Sequence, residues 1–301
     1  MYGDNIKGKV FVITGAYSGI GVETTKALLS EGASKVVIGG RRQNLQDDFI
    51  KEMKESFAAD RVDGHLIDLG DLASVKRFAE YVNAKYKTIH VLINNAGVMN
   101  TPPGVTKDGF EQQMGINVIG HFLLSKLLID KTKRQVWLSS TAHTIGKGPR
   151  IDMNYIKTFS MENKKGYSGW KAYQQSKLGN ILVAKEFHKR YPNVETVSLH
   201  PSANAILESW QGGINTNLGR TTNFVSALKI LWIGLPDDLR MKSVQAGAST
   251  TVTCAALPSH ELKVAGYYRD CDPYEEYDCA KNEEDMAALF DYCDEVTKMF
   301  Q

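Results

Sequence analysis

The sequence predicts an α/β fold in which a doubly wound parallel sheet carries helices on both faces. Over the first 200 residues, runs of β-branched residues alternate with helical patterns, as repeated βαβ units require. The predicted strands are apolar along nearly their whole length, which is typical of strands buried on both sides. Ligands of such sheets bind beyond the carboxyl ends of the strands, so we expect the functional residues there.

Six strands and five helices alternate in this part of the chain. The strands are predicted at residues 9–14, 35–40, 62–68, 90–97, 134–140 and 194–200. The helices are predicted at residues 19–31, 43–57, 74–86, 115–130 and 171–191. The fourth helix is apolar around much of its circumference, which indicates a buried helix.

The pattern loosens after residue 200. It predicts a helix at residues 241–256, a short strand near residues 266–270 and a last helix at about residues 281–299. No linker or repeat divides the chain, so we expect one domain over residues 1–301. Within it, residues 202–240 are expected to form a substrate-binding or lid segment.

The charge balance favours a small-molecule ligand. The chain has 36 basic and 34 acidic side chains, and its net charge of +2 gives no attraction to nucleic acid. The first residues do not form a charged and apolar leader, and no apolar run approaches the roughly 18 residues of a spanning helix. We therefore expect a soluble cytoplasmic protein.

The four cysteines lie in the last fifth of the chain without a CxxC pair or a histidine cluster beside them. This spacing predicts reduced structural thiols and no metal site, with a regulatory thiol or a disulfide as the alternative. The residues concerned are Cys254, Cys271, Cys279 and Cys293.

The segment TGAYSGIG, residues 14–21, follows the first strand and opens a helix. Its glycines permit a tight turn and a close approach of backbone to a pyrophosphate, whose charge the helix N-terminus favours. The alternative is a turn without a ligand. The predicted cofactor contacts in this segment are Gly15, Tyr17, Ser18, Gly19, Ile20 and Gly21.

The ends of the second and third strands indicate which dinucleotide binds. Arg41 and Arg42 stand where an acidic residue would bind a free ribose 2′-hydroxyl, and a guanidinium there suits a 2′-phosphate. NADP(H) is therefore preferred over NAD(H), unless the arginines only cap a strand. Asp68, followed by Leu69, is expected to accept from the adenine amino group, or to begin a helix instead.

Tyr173 and Lys177 stand four residues apart in a predicted helix. Positions i and i+4 lie on one face, so the phenol and the ammonium should project side by side. A solvated helix face is the alternative explanation of this pair.

The ordered motifs resemble those of the short-chain dehydrogenase/reductase family, which has a Rossmann fold. They are TGAYSGIG, NNAG at residues 94–97, Asn117, LSSTAH at residues 138–143 and YQQSK at residues 173–177. The match covers residues 8–200. The phrases LINNAGVM, STAH and WKAYQQSKLGN are most similar to the retinol dehydrogenase-like branch.

The resemblance implies four catalytic residues. Tyr173 is the general acid/base, and Lys177 should lower the pKa of its phenol and hold the nicotinamide ribose. Ser140, in preference to Ser139, should bind the substrate oxygen, with strand-end capping as the alternative for the pair. Asn117 should support a water in a proton relay, or satisfy neighbouring backbone as a structural amide, and both can hold.

The remaining expectations concern the edges of the site. Asn94, Ala96 and Gly97 should line the adenosine side and stabilise the centre of the sheet. Pro201 should contact the cofactor, while His200 is expected to be structural. Ser202 and Ile206 replace the usual glycine and threonine near the nicotinamide, and His143 lies either at the substrate entrance or in a surface loop. The apolar segment 224–235 either covers a lipophilic substrate, contacts a membrane surface or forms a buried helix.

Together these features predict an NADP(H)-dependent enzyme that interconverts a carbonyl and an alcohol. The resemblance implies a lipophilic substrate, such as a retinoid, a steroid or another aldehyde or ketone. The alternatives are a cofactor-binding sensor or scaffold without turnover and a nucleotide-sugar epimerase. The family often forms dimers through the helices that bear Asn117 and Tyr173, so a homodimer is expected, with a monomer as the alternative.

Overall fold

The computed structural model describes residues 3–144, 150–201 and 244–301. The predicted lid segment, with Ser202, Ile206 and residues 224–235, lies outside the described residues.

An eight-stranded sheet forms the centre of the molecule, in the order β3-β2-β1-β4-β5-β6-β7-β8. Its strands are β1 (Val10–Thr14), β2 (Lys35–Gly40), β3 (Val62–Leu66), β4 (Ile89–Asn94), β5 (Thr132–Leu138), β6 (Glu195–His200), β7 (Tyr267–Arg269) and β8 (Asp272–Tyr274). The first seven pair in parallel, which confirms the predicted fold class. The strand order reverses between β1 and β4, and this reversal opens a crevice at their carboxyl ends.

The helices occur close to their predicted positions. They are α1 (Gly3–Ile6), α2 (Ile20–Ser30), α3 (Gln43–Ser56), α4 (Leu72–Lys85), α5 (Gln112–Met114), α6 (Gly120–Leu127), α7 (Met153–Thr158), α8 (Gly169–Arg190), α9 (Val244–Ala256) and α10 (Glu283–Thr297). The short helices α1, α5 and α7 were not predicted. Within the described residues, no helix has the length and apolarity needed to cross a membrane.

Two apolar layers cover the sheet because successive strand residues point to opposite faces. Val12 packs in the layer of α4, α6, α8 and α10, whereas its neighbour Ile13 packs in the layer of α2, α3 and α9. In β5, Trp137 packs in the first of these layers and Val136 in the second. The helices that carry the predicted catalytic residues therefore share one face of the sheet.

The predicted helix 115–130 departs from a regular α-helix. Residues Gly115–Ile119 form a π-helical turn between α5 and α6, and Asn117 lies at its centre. Turns of this kind are rare and frequently mark functional sites. The hydrophobic periodicity indicates a buried helix here, but it does not distinguish an α-helical turn from a π-helical turn.

The last strand, β8, was also not predicted. It pairs antiparallel with β7 across a two-residue turn in which Asp270 and Cys271 have φ values of 54° and 71°. Two consecutive residues with positive φ join antiparallel strands of the usual twist. All four cysteines are free thiols, and Cys254 and Cys293 are completely buried, which raises the pKa of both.

Candidate active site

A cavity of about 980 Å³ runs along the carboxyl ends of the strands. It brings together most of the residues predicted to bind a dinucleotide. Those that line it are Gly15, Tyr17, Ser18, Ile20, Arg41, Arg42, Asp68, Leu69, Ala96, Gly97, Tyr173, Lys177 and Pro201. The other predicted residues, Gly19, Gly21, Asn94, Asn117 and Ser140, are not among its lining residues.

The glycine-rich turn needs its glycines for two different reasons. Gly15 and Gly19 have φ values of 69° and 50°, a conformation that side chains disfavour. Gly21 has an ordinary φ, but a Cβ there would lie 2.2 Å from the carbonyl oxygen of Gly15. The turn therefore brings bare backbone to the cavity at the start of α2, which suits a pyrophosphate.

Asn95 fixes this turn against the end of β4, a role that the sequence analysis missed. Its Nδ2 donates to the carbonyl oxygens of Thr14 and Gly15 at 2.7 and 3.3 Å. Asn94 was expected both on the adenosine side and as a stabiliser of the sheet centre. It does not line the cavity, but it is buried and donates to the Ser125 hydroxyl at 2.9 Å, as the second expectation requires. The side chains of neighbouring residues at a strand end point in different directions, so the NNAG motif did not show which of its asparagines reaches the turn.

A buried hydrogen-bond chain links the turn to the π-helical segment. The Thr14 hydroxyl oxygen accepts from the backbone N–H groups of Asn95 and Ala96, both at 3.0 Å. Its single proton is left for Nε2 of His121, 2.8 Å away, so that His121 carries its proton on Nδ1. That Nδ1 donates to the carbonyl oxygen of Asn117 at 3.0 Å.

His121 is neutral at pH 7, because complete burial lowers its pKa to about 4. His121 was not among the residues predicted from the sequence. The available signal was a histidine four residues after Asn117 on an otherwise apolar helix, which places both on one face.

The amide of Asn117 holds the segment that follows β4. Its Oδ1 accepts from the Val98 N–H at 2.8 Å, and its Nδ2 donates to the Val98 carbonyl oxygen and the Ser176 hydroxyl, both at 2.9 Å. A Cβ on Gly97 would lie 3.2 Å from this amide and 3.5 Å from Nζ of Lys177. The structural interpretation of Asn117 is therefore correct, and its part in a water relay stays a prediction.

The two serines at the end of β5 point to different partners. Ser139 donates its hydroxyl to the carbonyl oxygen of Lys177 at 2.6 Å, so it ties β5 to α8. The Ser140 hydroxyl is hydrogen-bonded to the phenol of Tyr173 and accepts from the Ala142 N–H at 3.1 Å. The structure thus places Ser140, and not Ser139, beside the expected acid.

Tyr173 and Lys177 lie side by side on α8. The Nζ of Lys177 is 5.6 Å from the centre of the Tyr173 ring and donates to the carbonyl oxygen of Leu138 at 2.9 Å. Asn180 donates to the same carbonyl oxygen at 2.8 Å. Tyr173 and Lys177 are only 5% and 6% exposed, so the alternative of a solvated helix face is wrong.

The expected pKa shift of Tyr173 has the opposite sign. Burial raises the pKa of the phenol above its ordinary value, and the hydrogen bond with Ser140 opposes this only in part. Burial also lowers the pKa of Lys177 to about 8, because an ammonium out of water is disfavoured. The i, i+4 spacing in the sequence did not show how deeply Tyr173 and Lys177 are buried. The phenol of Tyr173 keeps its proton at neutral pH.

The end of the cavity next to β2 carries both predicted arginines, with Arg41 exposed and Arg42 half-buried. Asp68 does not begin a helix, since Asp71 caps α4 by accepting from the N–H groups of Ala73 and Ser74. Instead, one carboxylate oxygen of Asp68 accepts from the Gly70 N–H at 2.9 Å.

Two histidines near the site are structural in their contacts. His143 is 1% exposed, so the surface-loop alternative is wrong, and its Nδ1 lies 2.6 Å from the carbonyl oxygen of Ser140. It does not line the cavity. His200 accepts from the Thr141 N–H at 3.3 Å, as expected of a packing residue.

The chain is similar to known proteins over most of its length. A family model described as short chain dehydrogenase matches residues 9–205. Human retinol dehydrogenase 11 is 35% identical over 273 residues, which cover 88% of this chain and 78% of that protein. Human retinol dehydrogenase 12 is 36% identical, with 88% and 79% covered.

Solved structures share the architecture. An uncharacterised protein from Mycobacterium paratuberculosis superposes with a TM-score of 0.71 at 29% identity, with 97% of this chain and 94% of that chain covered. An NADPH-dependent 3-quinuclidinone reductase from Rhodotorula rubra gives a TM-score of 0.64, with 89% and 92% covered. At 17% identity this second likeness shows the fold alone.

Burial of Lys177 should make stability depend on pH. Between the folded pKa of about 8 and the ordinary value of about 10.4, the unfolded chain binds more protons than the folded protein. The free energy of unfolding should therefore rise with pH in this window, by roughly 3 kcal/mol at most. Urea midpoints of the wild type and Lys177→Met at pH 7 and pH 10 measure this gain.

The rise in the free energy of unfolding between pH 7 and pH 10 should be present in the wild type and missing from Lys177→Met. The exposed Lys54 provides the matched control, because Lys54→Met should follow the wild type. Parallel pH dependences of the wild type and Lys177→Met would show that Lys177 is not desolvated.

Proposed function

Because the chain belongs to the short-chain dehydrogenase family, we propose that it transfers hydride between NADP(H) and a carbonyl or alcohol substrate. The observation that carries this proposal is the grouping of Tyr173 and Lys177, which line the cavity, with the Ser140 hydroxyl next to the Tyr173 phenol. The phenol, the hydroxyl hydrogen-bonded to it and the amine beside it are the groups that such a transfer needs.

The cavity suits a dinucleotide along its length. The glycine-rich turn leaves backbone without side chains at the start of α2, where a pyrophosphate would bind. Gly97, whose Cβ would approach Nζ of Lys177, leaves room for the nicotinamide ribose beside that amine. A bound nicotinamide would supply or accept the hydride.

The side chains supply the proton and the orientation. In the reducing direction Tyr173 would give its phenolic proton to the carbonyl oxygen, while Ser140 would donate a hydrogen bond to the same oxygen. Tyr173 is protonated at neutral pH, as the proton donor of carbonyl reduction must be. Lys177 would hold the ribose hydroxyls and orient them through its bond to Leu138.

The preference for NADP(H) rests on the two arginines at the end of β2. Arg41 and Arg42 line the cavity there, and no carboxylate follows this strand to bind a ribose 2′-hydroxyl. Guanidinium groups suit a phosphate through charge-assisted hydrogen bonds.

The proposal of a lipophilic substrate has two supports. Next to Gly97 in the sequence, the cavity wall includes the apolar side chains of Met99, Pro102 and Pro103. The two curated relatives reported above are named for retinol. The alternative of a sensor without turnover gains no support from relatives that are named as dehydrogenases.

The homodimer, a peripheral membrane contact and the cytoplasmic location stay predictions. Sedimentation of the purified chain would determine whether it forms a homodimer. Flotation with vesicles would determine whether it contacts a membrane.

Tyr173→Phe should abolish turnover without abolishing cofactor binding. Loss of the transferable proton should lower kcat by about 10²–10⁴-fold, the usual contribution of general acid catalysis. NADPH oxidation with all-trans-retinal, a ketosteroid and an aliphatic aldehyde measures this, and fluorescence titration measures the Kd of NADPH. Tyr155→Phe is the matched control, since the Tyr155 hydroxyl lies outside the cavity and has no partner among the described residues.

Wild-type rates in Tyr173→Phe would exclude Tyr173 as the acid. Absence of turnover in the wild type with every aldehyde and ketone tested, despite tight NADPH binding, would favour the sensor.

Arg41→Asp should weaken NADPH far more than NADH. Loss of a charge-assisted hydrogen bond and gain of a repelling carboxylate should raise the Kd of NADPH by about 10–100-fold. Lys51→Asp, an equal charge change on an exposed position of α3, controls for net charge. Equal weakening of both cofactors by Arg41→Asp would contradict the proposed preference.

A further inference from the structure

Tyr17 reaches from the glycine-rich turn to the end of β2, and its ring covers Gly40. A Cβ on Gly40 would lie 1.9 Å from Cε1 of Tyr17, so no residue other than glycine leaves room for the ring. The guanidinium carbon of Arg42 lies 5.7 Å from the centre of the same ring, a distance typical of a cation–π contact. Tyr17 thus belongs to the ribose corner of the cavity, together with Arg41 and Arg42.

Two consecutive backbone amides converge on the Tyr17 hydroxyl. The N–H groups of Arg41 and Arg42 both donate to its oxygen at 3.1 Å. Successive N–H groups directed at one point form a concave site that favours negative charge. Here the Tyr17 hydroxyl oxygen lies where the two N–H groups converge.

The hydrogen-bond donor of the Tyr17 hydroxyl remains available to a ligand. A phenol has one proton to donate, and its oxygen accepts through its lone pairs. The two amides use the accepting capacity of Tyr17, which leaves only the proton. Over residues 3–144, 150–201 and 244–301, no side chain or carbonyl oxygen accepts that proton.

A hydroxyl that accepts two hydrogen bonds is polarised and becomes a better donor. It lies beside two guanidinium groups in the cavity wall, so a strong anionic acceptor is the complementary ligand. We propose that the Tyr17 hydroxyl is a specificity-determining donor to the phosphate monoester on the ribose 2′-oxygen, activated by the amides of Arg41 and Arg42. This inference rests on the proposed NADP(H) preference and deepens it.

Tyr17→Phe removes the oxygen alone and keeps the ring over Gly40. We expect it to raise the Kd of 2′-AMP and of NADPH by about tenfold, the loss of one hydrogen bond to a charged group. The Kd values of 5′-AMP and NADH should change by less than about twofold, because these ligands lack the 2′-phosphate. Calorimetric titration of the purified wild type and variant measures all four without requiring turnover.

Tyr155→Phe makes the same chemical change outside the cavity and should leave all four Kd values unchanged. Thermal melting of Tyr17→Phe shows whether the variant is folded. Should it unfold, Tyr17→His, which keeps a ring with a donor, is the second variant, and it should retain part of the preference for 2′-AMP over 5′-AMP.

Three results would overturn the inference. Unchanged binding of 2′-AMP by Tyr17→Phe, while Arg41→Asp weakens it, would assign the phosphate to the arginines alone. Tighter binding of 2′-AMP would show that the phenol competes with the phosphate for the two amides. Equal binding of 2′-AMP and 5′-AMP by the wild type would remove the proposed NADP(H) preference as well, so the two failures are distinguishable.

Discussion

The removal of Lys177 from water is the constraint on which the site depends. An amine that is 6% exposed and still carries a proton below pH 8 must have its hydrogen-bonding groups satisfied by fixed oxygens. The carbonyl oxygen of Leu138 provides one such acceptor, and Ser139 returns a hydrogen bond to the carbonyl oxygen of Lys177. Strand β5 and helix α8 are thereby joined at the residues that hold Tyr173 in place. Because Lys177 and Tyr173 are buried together, the pKa of the amine is lowered and the pKa of the phenol is raised.

The sequence was sufficient for the architecture and for the order of the motifs. Mostly apolar runs mark β1, β2 and β4, because strands covered on both faces disfavour polar residues, whereas the edge strand β3, VDGHL, is partly polar. Strand β8 was missed because DPY is short and contains a proline, which is disfavoured in most strands. The π-helical turn around Asn117 was missed because a hydrophobic pattern reports which residues are buried, not how the backbone between them winds.

The site was predicted less completely, since its chemistry depends on long-range contacts. Thr14 and His121 are 107 residues apart in the chain, and no local pattern joins them. The pKa of Tyr173 was assigned the wrong sign because the i, i+4 spacing shows adjacency to Lys177 but not the depth of either group. The choice of Ser140 over Ser139 came from resemblance, and the interaction of the Ser140 hydroxyl with the Tyr173 phenol agrees with it.

The short strand β8 has a consequence for the behaviour of the protein at high concentration. It is the outermost strand of the described sheet, its three residues are exposed, and its central residue, Pro273, has no N–H to offer a neighbour. A second molecule that approaches this border finds too few donors to extend the ladder. The hairpin therefore makes this edge of the described sheet poorly suited to pair with a strand of a second molecule.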